Sequence, residues 1–65
     1  MIMVKDKKTI IKYLHHRANN KMISSTVRRL SLMRAKALEL GFDTILEAED
    51  AGYSVELKNA YDSIK

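Results

Sequence analysis

Apolar residues recur along this chain at three- and four-residue intervals, in four successive runs. In the first run Ile10, Ile11, Leu14 and Ala18 share one arc of a helix, with Tyr13 at its edge. Lys5, Lys8, Lys12, His16 and Asn19 share the opposite arc. In the second run Ile23, Val27, Leu30, Met33, Ala37, Leu38 and Leu40 turn inward, while Arg28, Arg29, Lys36 and Glu39 turn outward. Two residues break this pattern. Leu32 falls on the wet face among the charges. Arg34 falls near the apolar arc, where its head is expected to reach water or pair with an acid from the C-terminal half. The third run is short. The fourth carries Leu57, Ala60, Tyr61 and Ile64 at i, i+3, i+4 and i+7, with Val55 off the stripe.

The residues between the runs read as helix stops and starts. Asn19-Asn20 favours a turn and tolerates left-handed backbone. Ser24 or Ser25 can cap the second helix, and Gly41 suits its left-handed C-terminal residue. Thr44-x-x-Glu47 matches a capping box, Gly52 ends the third helix, and Ser54 can cap the fourth. There is no Pro and only two Gly. The pattern predicts an all-α chain: a small bundle of three to four short helices, approximately 7–18, 25–40, 44–51 and 54–64, in one domain spanning 1–65. A start at Lys5 for the first helix is equally compatible with the pattern.

Size limits what this core can do. A 65-residue chain buries only about 60% of its unfolded surface, and small domains usually need a staple. There is no Cys, hence no disulfide and no thiolate metal site. The expectation is therefore a homodimer or a partner-stabilised monomer, and a Cys-free chain is most simply placed in the cytoplasm. The longest apolar run, Met1-Ile2-Met3-Val4, is far short of a signal core or a membrane span. The apolar face of the first helix holds no Trp or Phe, so no membrane partner is expected. The four Met are expected to fill the core.

Charge changes the picture most. Ten of the twelve bases lie in the first 36 residues with only Asp6 against them, a local +9, and the last 29 residues carry −5. An excess of that size suits a polyanion or an acidic surface. The candidate contact residues are Lys8, Lys12, Arg17, Arg28, Arg29 and Lys36, with Leu32 a possible apolar anchor among them. Reversing the charge of Arg28 and Arg29 is expected to weaken partner binding while leaving helicity intact.

Ala48-Glu49-Asp50-Ala51-Gly52-Tyr53-Ser54 resembles the turn of a helix-turn-helix, which often reads Ala-x-x-x-Gly-apolar-Ser. The resemblance implies that the helix from Ser54 would enter the major groove. The chain departs from that pattern at Glu47 and Lys58, where the motif takes apolar residues. Glu47, Glu49, Asp50, Glu56 and Asp62 would also face phosphate at a Coulombic cost. Nucleic-acid contact is therefore expected from the first 36 residues.

Catalytic and metal chemistry find little support. His15 and His16 are adjacent, so on a helix they point about 100° apart and cannot chelate one ion. No Gly-rich phosphate loop and no nucleophile in a recognisable arrangement is present. The expectation is a non-enzymatic binding or regulatory protein without cofactor, which contacts nucleic-acid backbone through the first two helices. The alternative is a small regulator (an inhibitor, antitoxin-like factor or adaptor) that docks on an acidic surface of a target protein.

Overall fold

The structure is a computed structural model that describes residues 6–64. The candidate start at Lys5 and the apolar run Met1-Ile2-Met3-Val4 lie outside those residues. The described chain is all-α, with four helices: α1 (Lys7–Ala18), α2 (Ser25–Glu39), α3 (Ile45–Asp50) and α4 (Ser54–Asp62). The element order and approximate boundaries follow the periodicity. No described helix is long and apolar enough to cross a membrane.

The ends of the helices are fixed by local hydrogen bonds. Asp6 caps α1 by accepting from the Thr9 amide at 2.9 Å, a cap the sequence pattern did not single out. Ser24 caps α2, its Oγ accepting from the Val27 amide at 3.4 Å. At α3 Thr44 Oγ1 accepts from the Glu47 amide at 3.1 Å. Glu47 Oε1 reaches back to the Asp43 amide, also at 3.1 Å, so the capping box closes one residue wider than the motif prescribes. Ser54 is not the cap of α4: Tyr53 holds that position with no side-chain bond, and Ser54 is already helical. The chain enters α4 straight from the preceding turn, and the Tyr53 carbonyl accepts from the Leu57 amide at 3.1 Å.

Gly41 and Gly52 both adopt positive φ, +100° and +98°. Each opens the same terminal motif. The Phe42 amide bonds the Ala37 carbonyl and the Gly41 amide bonds that of Leu38; Tyr53 bonds Ala48 and Gly52 bonds Glu49 in the same way. These are two Schellman ends eleven residues apart, by the residue numbers. Their apolar residues meet, with the Phe42 and Tyr53 ring centroids 5.6 Å apart. Asn19 stops α1 differently. It stays right-handed at φ −90°, and Asn20 Oδ1 accepts from the Met22 amide to close a turn.

α2 is the central helix. α1 packs on it alone, whereas α4 packs on α2 and α3. The result is a slab whose Cα extents are 38 × 32 × 13 Å. Two small cores form on either side of α2. Leu14, Ala35 and Leu38 make one, flanked by Ile10 and Ile11. Ala37, Ala48 and Leu57 make the other, flanked by Met33, Phe42, Ile45 and Tyr53.

This two-sided packing overturns part of the inward arc expected for α2. Leu30 is 45% exposed, while Ser31 and Ala35 are buried. Small side chains at these positions let α1 approach closely, and Ser31 Oγ is satisfied by the Val27 carbonyl at 2.9 Å. The wet position expected for Leu32 is also corrected: Leu32 is half-buried. Met22 is fully open, so it fills no core.

Leu57→Ala should cost about 2–5 kcal/mol and lower the melting temperature by roughly 10–30 °C. Val55→Ala, at an exposed site, should stay within about 0.5 kcal/mol. Thermal circular dichroism of both variants checks the assignment of the second core. The bonds from Thr9, first its amide and then its hydroxyl, hold the Asp6 carboxyl below the ordinary aspartate value. The cap therefore supports the fold fully above the ordinary aspartate range and is lost as pH falls through the folded value. Asp6→Asn should lose less helix signal than the parent over that acid range.

Candidate nucleic-acid interface

α1 sets Tyr13 and Arg17 one turn apart on a single flank, because residues four apart are neighbours on a helix. Across the seam α2 presents Arg34, which is exposed. Between them lies a groove of about 380 Å³ lined by Thr9, Ile10, Tyr13, Leu14, Arg17 and Arg34. Tyr13 and Arg17 also border a second hollow of about 350 Å³ with His16, Asn20 and Ile23. Among the described residues no acid lines either one. Tyr13 is 57% exposed. Leu30, one turn before Arg34, is open on the same side of α2.

The candidate bases separate into three environments. Lys8 and Lys12 are exposed on α1 and join no ion pair among the described residues. Arg17 is half-buried beside the groove, and its Nε has no hydrogen-bond partner. Arg28, Arg29 and Lys36 are not an outward stripe; all three are half-buried. Arg28 Nε donates to the Ala18 carbonyl at 2.8 Å. That places a cation on the C-terminal end of α1, where free carbonyls and the helix dipole favour it. The Arg29 guanidinium lies 5.4 Å from the Tyr61 ring centroid and ties α2 to α4. Arg28 and Arg29, both expected to face a partner, thus each tie two helices together, and reversing their charge should damage the fold.

Lys36 and Leu32 border a different hollow, of about 400 Å³, that α1 and α4 leave open over α2. Glu39 and Glu56 line it too, so Lys36 stands among acids and offers a phosphate little. His15 Nε2 and Glu39 Oε2 close one edge at 3.0 Å. A third region is acidic: Asp43, Glu47 and Asp50 line a shallow hollow beside Phe42 with no base among them.

Arg34 was expected to reach for water or for an acid, and it reaches water. Among the described residues only two contacts within 4 Å join a base to an acid, Lys7 to Asp43 at 3.8 Å and His15 to Glu39. No arginine takes part in either. Both contacts join the basic first half to the acidic second half, and they leave the arginines of the described residues outside any ion pair.

The segment that resembles a helix-turn-helix does form a helix–turn–helix corner, with Ala48 fully buried and Gly52 at positive φ. Leu57, one residue before the expected anchor position, supplies the apolar contact, and Lys58 is exposed. The open side of α4 carries Glu56 and Asp62. Among the described residues no three His, Asp or Glu side chains are grouped to hold a metal ion. Comparison with protein-family models, curated proteins and solved structures finds no match to this chain.

Arg28→Ala should lower stability by about 1–2 kcal/mol through the lost bond to Ala18. Arg34→Ala, at an exposed site, should stay within about 0.5 kcal/mol. Chemical denaturation of the two variants separates the structural arginine from the surface one.

Proposed function

We propose that this protein is a non-enzymatic binding protein of the cytoplasm that holds nucleic acid against α1 and the exposed side of α2. One observation carries the reading: a groove bordered by two arginines, with no acid in its lining and no ion pair at either arginine among the described residues. Unpaired arginines that converge on a groove match the planar, repeated anions of a phosphate backbone. Exposed Lys8 and Lys12 stand on the arc of α1 opposite Ile10 and Leu14, so they add to the positive field of the molecule without lining the groove. The acidic hollow beside Phe42 then faces away from the strand or toward another protein.

A second reading is favoured by a separate observation. Leu30 stands open next to Arg34, and an apolar side chain set in charge is a common anchor for a protein partner. On that reading the protein docks on an acidic surface of a target. A homodimer is compatible with either reading.

Fluorescence anisotropy of labelled DNA against salt tests the first reading. Three or four phosphate contacts predict that log affinity falls against log salt with a slope of about −2 to −4. A slope near zero, or no binding at low salt, would remove nucleic acid as the partner. Survival of one stoichiometric protein in a nuclease-treated pull-down would then favour the second reading.

A further inference from the structure

We propose that the groove between α1 and α2 is a single-strand site, in which a base stacks on Tyr13 while the flanking phosphates lie at Arg17 and Arg34. This inference rests on the nucleic-acid reading above and narrows it from any polyanion to an unpaired strand.

The argument begins with the shape of the site. Tyr13 and Arg17 border both hollows, so together they form a ridge between them. Volumes of about 380 and 350 Å³ lie in the range of small-ligand pockets, roughly 300–1,000 Å³. Two such spaces either side of an aromatic ridge suit consecutive nucleotides better than the continuous rail of a duplex backbone.

Chemistry points the same way. A duplex hides the faces of its bases, whereas an unpaired strand offers them to an aromatic ring. Tyr13 is more than half exposed on α1, yet it has no place in either core. Ile10 and Leu14 give the groove an apolar floor, which favours a base over water. Arg34 is exposed and joins no ion pair among the described residues, and half-buried Arg17 lines the groove beside it. Guanidinium groups bordering the groove suit the phosphates that flank a stacked base. The stack requires no other aromatic, because each additional base can stack on its neighbour.

Binding of labelled oligothymidylate and oligouridylate to the full chain tests this, with a duplex of equal length and polyglutamate as rival probes. The expected result is tighter binding of both single strands than of the duplex. Tyr13→Ala should weaken single-strand binding roughly ten-fold, and Tyr13→Phe should restore it. Arg34→Ala should reduce the salt slope by about 0.7. Both positions are exposed, and unchanged circular dichroism of each variant verifies the fold. Equal binding of strand and duplex, with no response to Tyr13→Ala, would overturn the single-strand site while leaving backbone binding in place. Polyglutamate binding as tight as that of the strands would overturn it in favour of an acidic peptide. If no probe binds, the site and the nucleic-acid reading fall together.

Discussion

α2 must accept a neighbour on each of two sides, and most of the other features follow from that. A helix packed on one side needs a single apolar stripe. A helix packed on two needs close contact along both seams, and here small residues supply it. Ala35 packs on Leu14 of α1 with Ser31 buried one turn before it, and Ala37 lies under the corner formed by α3 and α4. With both seams occupied, Arg28, Arg29 and Lys36 have nowhere fully wet to go. Their stems lie along the packing and their heads find a carbonyl, an aromatic ring or a mixed-charge hollow. Leu30 and Arg34 take the side that no helix covers.

The fold was largely legible in the sequence because local rules decide it. Gly41 and Gly52 mark helix ends that only a positive φ can make, and Ser24 and Thr44 cap where their positions suggest. The arc Ile10, Ile11, Leu14, Ala18 reads correctly because α1 meets only one neighbour. The α2 arc misreads for the opposite reason. A single hydrophobic direction averages over two seams and points between them, which placed Leu30 inside and Leu32 outside. The signal that would have corrected it was the small pair Ser31 and Ala35, spaced at i, i+4. Ser54 misled for a different reason: a Schellman end followed at once by a helix leaves no residue free to serve as a side-chain cap.

The candidate interface was legible only as a net charge. Counting bases locates the excess in the first 36 residues, but it cannot tell an arginine that faces solvent from one that braces a helix end. Arg28 and Arg34 have the same side chain and lie six positions apart in sequence, yet one binds the Ala18 carbonyl and the other faces open groove. Tyr13 was visible as an edge residue. Its importance depends on Arg34 arriving from another helix, which no local pattern in α1 encodes.

The two cores share no buried residue, and α2 stands between them as a partition. Stability need not be spread evenly over two such cores. The α1 side is the simpler joint: one helix on one neighbour, fastened by Leu14, Ala18 and the Arg28 bond. The other side has two turns locked by glycine and a pair of aromatic rings. A ligand that touches Arg17 and Arg34 at once bridges the simpler joint. By linkage, whatever binds there also latches α1 to the rest of the protein, so occupancy and order rise together.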